Sequence, residues 1–72
     1  LDGGADGLAV IRPLVAASLP RLKAGGWLAL EIAEDQGAPV KALLDAAGAV
    51  DTRIEKDLAR HDRLVFGRAN PS

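Results

Sequence analysis

Hydrophobic and polar positions recur along the chain with two different periods, and these periods predict its helices and strands. In the first third of the chain, apolar side chains recur at helical spacing at Leu8, Ile11, Val15, Leu19 and Leu22. This spacing predicts a helix over about residues 7–23, which ends before the pair Gly25-Gly26. Pro13 and Pro20 each remove a backbone donor, so we expect the helix to be kinked or to start late.

A short and almost entirely apolar run follows at residues 27–33, with the sequence WLALEIA. Glycine bounds this run on one side and polar residues bound it on the other. Such a run is typical of a strand buried on both faces, as in a parallel sheet. Apolar positions then return to helical spacing and predict a second helix over residues 36–47. Asp35 is well placed to cap that helix, and Gly48 is well placed to end it.

The last third of the chain predicts two strands joined by a turn. Residues 50–58 alternate in polarity, which predicts a strand with one apolar face. The positions on that face are Val50, Thr52, Ile54 and Leu58. Residues 63–68, with the sequence RLVFGR, form a further predicted strand. Because residues 59–62 allow only a short turn, we expect these two strands to form an antiparallel hairpin.

The order helix, strand, helix, strand, strand predicts an α/β fold with two helices. The strand-helix-strand unit implies a parallel pair of strands joined by a right-handed crossover. If the last strand is inserted between the other two, it is antiparallel to both, and the result is a mixed three-stranded sheet. The first predicted strand then has a bare apolar edge, which is a candidate site for self-association.

Composition narrows the class of protein. Hydrophobic residues make up 49% of the chain, which is too many for intrinsic disorder. Nine basic residues against ten acidic ones argue against a phosphate-binding surface, so we expect no direct contact with nucleic acid. Without cysteine there is no disulfide or thiolate metal site, and a reducing cytoplasm fits best. The apolar runs are too short to span a membrane. Because the sequence starts at Leu1 and contains no methionine, we predict that it is a fragment.

The motifs that usually carry chemistry are missing from the chain. No Gly-x-Gly-x-x-Gly follows a predicted strand, and no Walker-type Gly-Lys-Ser/Thr is present. His61 stands beside Asp62 in a predicted turn, where a solvated pair is favoured over a catalytic one. A single histidine also excludes a multi-histidine metal site. We therefore predict no catalytic, cofactor-binding or metal-binding residue in these 72 residues.

Two features remain as candidate substrate-side positions. Glu31 is a carboxylate late in an otherwise apolar strand, near the end at which open α/β sheets bind ligands. It serves either as a structural acceptor for a neighbouring loop, which we favour, or as a substrate contact. The second feature is the loop that contains Gly3, Gly4, Asp6 and Gly7, with Asp6 as a candidate helix cap. This loop is either an anion site at a helix N-terminus or a plain loop.

Four stretches of the sequence together resemble one family. They are LDGGADGL at residues 1–8, LKAGGWLALEI at 22–32, EDQGAPVKALLDAAG at 34–48 and KDLARHDRLVFGR at 56–68. In this order and at this spacing, they resemble the C-terminal end of the release factor glutamine methyltransferases, the PrmC/HemK family. The resemblance covers nearly the whole chain. Arg60 departs from it, because the family often has glycine at this turn position.

The resemblance implies an S-adenosylmethionine-dependent enzyme with a Rossmann-like, seven-stranded sheet. Such enzymes methylate the glutamine of the Gly-Gly-Gln motif in peptide-chain release factors. The family's glycine-rich cofactor loop and its Asn-Pro-Pro-Tyr motif do not occur in this chain. The fragment would supply the fifth, sixth and seventh strands, as scaffold that is inactive and binds no cofactor by itself.

Two other functions stay open at this point. A related methyltransferase could act on an amino group of a nucleic acid, since it would use the same planar-nitrogen chemistry. A free-standing α/β interaction module could instead recruit a partner strand to the bare sheet edge. An activity assay of the whole protein on release factor and on RNA would separate the nucleic-acid methyltransferase from the release factor methyltransferase. A gene that encodes only these residues would support the interaction module.

Overall fold

The computed structural model of the chain describes residues 8–71. Its elements, in chain order, are α1 (Ile11–Ser18) continued by a 3-10 turn (Leu19–Arg21), β1 (Trp27–Glu31), α2 (Gly37–Ala46), β2 (Val50–Lys56) and β3 (Asp62–Arg68). The fold is α/β, with two helices and a three-stranded sheet. No helix within residues 8–71 is both long enough and apolar enough to span a membrane.

The first helix is shorter than the 7–23 predicted from the sequence, and it changes type near its end. Residue 7 lies outside the described residues, and regular α-helix begins only at Ile11. Pro13 falls in the first turn of α1, where proline is tolerated. Pro20 falls in the 3-10 turn that follows Ser18, so the α-helical hydrogen bonding stops there.

The start of the second helix also differs in detail from the prediction. Helix α2 begins at Gly37, within the predicted 36–47, but its N-cap residue is Gln36. The prediction that Asp35 caps the helix is wrong, since no side chain caps it. Instead, the Gln36 side chain accepts a hydrogen bond from the Ala33 backbone N–H at 2.9 Å. This bond closes the turn between β1 and α2 and competes with capping.

Strand β3 is inserted between the other two strands, as the topological argument predicted. The order is β1-β3-β2, and β3 runs antiparallel to both neighbours. Val65 lies opposite Leu30 on one side and opposite Ile54 on the other. The expectation of a mixed sheet is wrong for residues 8–71, because β1 and β2 point the same way but do not pair. Every hydrogen-bonded strand pair is therefore antiparallel.

The strand ends deviate modestly from the predicted spans. Strand β1 ends at Glu31 rather than at residue 33, although the Ile32 N–H still donates to the Arg63 carbonyl at 3.0 Å. Strand β2 ends at Lys56 rather than at residue 58. Leu58 therefore lies in the turn and is fully exposed, so its predicted place on the apolar face of β2 is wrong.

Helix α2 packs closely on one face of the sheet and forms the core there. Leu44 and Val40 of the helix and Val65 of β3 are completely buried. Burial of a side chain such as Leu44 contributes about 1.5–3 kcal/mol. The close approach depends on Gly67, where an added Cβ would lie 3.1 Å from Leu44 Cδ1 and 3.2 Å from Ala49 Cβ.

The two faces of the sheet differ in cover, and we name them accordingly. The covered face carries Leu28, Leu30, Ile54, Val65 and Gly67, and the core cluster lies on this side. The open face carries Trp27, Ala29, Arg53, Leu64, Phe66 and Arg68. The prediction that the first strand is buried on both faces is wrong within residues 8–71, since exposed and buried positions alternate along β1.

The turn of the β2-β3 hairpin contains a residue in the left-handed backbone conformation. The Arg60 N–H donates to the Asp57 carbonyl at 3.0 Å, and the Asp57 N–H donates to the His61 carbonyl at 2.9 Å. Arg60 has φ 70°, so the left-handed position is kept although glycine is absent. A side chain in this conformation costs about 1 kcal/mol relative to glycine.

Candidate functional site

Glu31 lies at the C-terminal end of β1, opposite Leu64 of β3. Its side chain is exposed, so the carboxylate remains hydrated and needs no buried partner. No hydrogen bond or ion pair joins it to another residue in the described part of the chain. Glu31 opens onto a shallow cleft of about 410 Å³ that is also lined by Ile32, Arg63 and Leu64.

The second wall of this cleft is formed by Arg63, which an ion pair with Asp57 holds in place. Arg63 Nε donates to Asp57 Oδ2 at 2.7 Å, and the His61 N–H donates to Asp57 Oδ1 at 2.9 Å. The His61 backbone N–H, followed by Arg63, lowers the pKa of Asp57 to about 2. Asp57 in turn raises the pKa of Arg63, so the guanidinium on the cleft wall is always charged.

His61 connects two loops at this end of the sheet. Its Nε2 lies 3.3 Å from Glu34 Oε2, in the loop after β1, and its Nδ1 lies 3.9 Å from Asp57 Oδ2. The ring is about half exposed. Its sequence neighbour Asp62 pairs with Lys56 instead. The solvated-turn interpretation therefore fits the position of His61, and a His61-Asp62 catalytic pair does not.

Asp62 occupies the N-terminal end of α2. An added Cβ at Gly37 would lie within 2.9 Å of the Asp62 carboxyl carbon, so only glycine permits this approach. The carboxylate is favourably placed, since a helix N-terminus carries partial positive charge. A carboxylate at this position would repel an anionic group of a ligand at the start of α2.

The candidate residues Gly3, Gly4, Asp6 and Gly7 lie outside the described residues. Their proximity to Glu31, and the capping role of Asp6, stay predictions. The first described residue, Leu8, is buried in the core cluster on the covered side of the sheet.

The side chains that line the cleft can bind polar groups of a ligand. Glu31 offers an acceptor for N–H groups, and Arg63 offers donors for a carbonyl or carboxylate. No group of three potential metal ligands exists among the described residues. Glu31 was selected as a candidate from the sequence, but Arg63 was missed. The only sequence signal for the ion pair of Arg63 with Asp57 is that the two residues flank a short turn.

Comparison with known proteins finds relatives over nearly the whole chain. A release factor glutamine methyltransferase of Caulobacter vibrioides is 54% identical over 71 residues, which are 99% of this chain and 25% of that protein. Proteins of the same name from Xylella fastidiosa and Moorella thermoacetica are 46% and 47% identical over 94% and 92% of the chain. The chain spans about a quarter of the length of these curated relatives. No protein-family model and no solved structure matches it.

This similarity first defines a class: the chain is homologous to part of a methyltransferase. More particularly, it is homologous to about one quarter of the release factor glutamine methyltransferases, which confirms the resemblance carried by the four sequence stretches.

Proposed function

We propose that the chain is the C-terminal part of an S-adenosylmethionine-dependent methyltransferase that modifies the Gly-Gly-Gln glutamine of peptide-chain release factors. The observation that carries this proposal is the 54% identity to the Caulobacter vibrioides relative over 99% of the chain. The whole enzyme would work in the cytoplasm, and its partner would be a release factor.

The role of these residues in the whole enzyme would be structural. They would complete a Rossmann-like sheet as its last three strands, within a single catalytic domain that includes all 72 residues. The observed insertion of β3 between β1 and β2 supports this role. The bare edge of β1 would pair with the neighbouring strand of the whole protein, and in the isolated chain it would allow self-association.

We expect no S-adenosylmethionine site among the described residues. The connection from β1 to α2, residues 32–36, contains no glycine, and Asp62 occupies the helix N-terminus that follows it. The cofactor would therefore be held by other parts of the whole enzyme. Titration of the isolated chain with S-adenosylmethionine should leave its backbone amide signals unchanged, and saturable shifts would contradict this assignment.

We assign the substrate side of this region to Glu31 together with Gly3, Gly4, Asp6 and Gly7. The support for Glu31 is its exposed, unpaired carboxylate on the cleft at the C-terminal end of β1. Its reach toward N–H donors suits a contact with a polypeptide substrate.

The test uses a chimera in which this chain replaces the matching quarter of the Caulobacter vibrioides relative. The chimera should methylate release factor, and Glu31→Gln should lower kcat/KM roughly tenfold, as expected for loss of a charge-assisted hydrogen bond. Asp51→Asn, at an exposed carboxylate near the opposite end of the sheet, is the control and should leave kcat/KM unchanged. A folded chimera that methylates RNA and not release factor would support the nucleic-acid alternative.

A further inference from the structure

Arg63 lies near the start of β3, on the wall of the cleft that Glu31 opens onto. Its backbone is fixed there, because the Ile32 N–H donates to the Arg63 carbonyl at 3.0 Å. Its side chain is about half exposed. The sheet therefore sets where Arg63 stands, and only the side chain is available to a ligand.

The guanidinium of Arg63 is anchored at one atom only. Its Nε donates to Asp57 Oδ2 at 2.7 Å, and Asp57 is itself held by the His61 N–H at 2.9 Å. Within residues 8–71, the terminal Nη atoms of Arg63 donate no hydrogen bond to the protein. Since a guanidinium carries several N–H donors in one rigid plane, the Nη donors are left for another partner.

The side chain of Arg63 is not needed to close the hairpin. Backbone hydrogen bonds close it, from the Arg60 N–H to the Asp57 carbonyl and from the Asp57 N–H to the His61 carbonyl. The ion pair between Arg63 and Asp57 is partly exposed on both sides, and such pairs contribute little to stability. A change of the Arg63 side chain should therefore leave the fold intact.

The charges around the cleft indicate which kind of ligand atom Arg63 can bind. Asp57, and to a smaller extent Glu34, raise the pKa of Arg63. Glu31, on the same cleft, adds a carboxylate without an ion pair among the described residues. Carboxylates therefore outnumber the guanidinium here, and an anionic group of a ligand would be repelled. A neutral carbonyl oxygen can accept from Arg63 without that repulsion.

A polypeptide main chain has the groups that this cleft lacks. Its carbonyl oxygens are acceptors for the Nη donors of Arg63, and its N–H groups are donors for the carboxylate of Glu31. The two side chains line one cleft, so a single segment of main chain can meet both of them.

We propose that Arg63 binds the polypeptide substrate by donating from its Nη atoms to a main-chain carbonyl oxygen, and that Asp57 positions it for this contact. The inference rests on the proposed function, and it adds a donor to the acceptor that Glu31 supplies. Because every residue has a main-chain carbonyl, the contact places the substrate chain in the cleft and does not select a particular side chain.

The test uses the Caulobacter vibrioides chimera with release factor as the substrate. Arg63→Gln should raise KM for release factor roughly tenfold and leave kcat unchanged, because the lost contact binds substrate and transition state alike. Arg21→Gln, at an exposed arginine in the 3-10 turn, is the matched control and should change neither constant. Both variants should keep the melting temperature of the unmodified chimera.

A double-mutant cycle tests the positioning role of Asp57. Asp57→Asn should raise KM in the unmodified chimera, because it releases the guanidinium. In the Arg63→Gln chimera, the same change should have no further effect on KM. Additive increases in KM would contradict positioning through Arg63.

The salt dependence tests the kind of atom that Arg63 binds. The increase in KM for Arg63→Gln should be similar at low and high salt, since a carbonyl oxygen carries no net charge. An increase that disappears at high salt would mean that the partner is a carboxylate or a phosphate, and it would contradict the main-chain contact.

The remaining outcomes separate this inference from the proposed function. An active chimera in which Arg63→Gln leaves KM unchanged, or lowers only kcat, rejects the role of Arg63 and leaves the proposed function intact. A large fall in melting temperature for Arg63→Gln would show a structural role and would also overturn the inference. A folded chimera that does not methylate release factor rejects the proposed function, and the substrate contact with it.

Discussion

The two faces of the sheet carry comparable apolar side chains but have different surroundings. On the covered face, Val65 is completely buried beneath Leu44 and Val40 of α2. On the open face, one strand position away, Phe66 lies beneath the guanidinium of Arg53 and remains partly exposed. The comparison shows that apolar side chains at neighbouring strand positions differ in exposure because α2 covers only one face of the sheet.

The largest expected loss of stability comes from truncating a buried side chain on the covered face. Leu44→Ala should destabilise the chain by about 2–5 kcal/mol, because it removes a completely buried side chain and leaves a cavity. Urea denaturation followed by circular dichroism measures the loss. In the isolated chain, Trp27→Ala on the open face should cost clearly less. Equal losses at the two positions would contradict the assignment of the core to one face.

The second prediction tests how closely α2 approaches the sheet. Gly67→Ala should destabilise the chain by about 1–3 kcal/mol, because the new methyl group would crowd Leu44 and Ala49. Thermal denaturation measures the change. Ala29→Gly, at an exposed position of β1, serves as a control for changes in backbone entropy. A Gly67→Ala chain as stable as the wild type would mean that the helix can move away from β3 at no cost.

The third prediction concerns the hairpin turn, which belongs to neither face. The pKa of Asp57 is lowered from 3.8 to about 2 in the folded chain, so its ionised form stabilises the fold. This stabilisation is complete above pH about 4 and is lost as the pH falls toward 2. The stability difference between wild type and Asp57→Asn should therefore shrink over that interval. Asp35→Asn, at an exposed carboxylate, is the control.

The smallest expected effect is on the open face itself. Arg53→Met should cost about 0.5–1 kcal/mol in the isolated chain, since it removes the cation–π contacts with Phe66 and Trp27 but keeps an apolar stem. Chemical denaturation at low and high salt measures the cost. A gain in stability would contradict a stabilising role of these cation–π contacts.

Local periodicity predicted much of the fold, for identifiable physical reasons. The alternation in residues 50–58 and the helical spacing in residues 36–47 arise within single elements, so they are visible in the sequence. The insertion of β3 was also accessible, because hairpin and crossover geometry leave few alternatives. Confirmation of that strand order came from the pairing of Val65 with both neighbours.

The wrong or missed predictions concern residues whose environment depends on contacts with other parts of the chain or with neighbouring side chains. The run at residues 27–33 looks equally apolar whether one face or both are buried, so the open face was not foreseen. Asp35 had the chemistry of a cap, but the Gln36 side chain closed the turn instead. The cleft beside Glu31 depended on Arg63, whose orientation is set by Asp57 across the hairpin. Gly3, Gly4, Asp6 and Gly7 lie outside the described residues, so their role stays a prediction.

The central position of β3 has a consequence for synthesis and degradation. The strand that bonds to both neighbours is the last of the described strands to leave the ribosome, so neither β1 nor β2 has a partner in this sheet until it emerges. Within this region the sheet therefore forms only once β3 has been synthesised, and a nascent chain stalled before residue 62 would expose two strands that lack their partner β3. A protease that removed β3 would likewise separate β1 from β2, since neither of these strands bonds to the other.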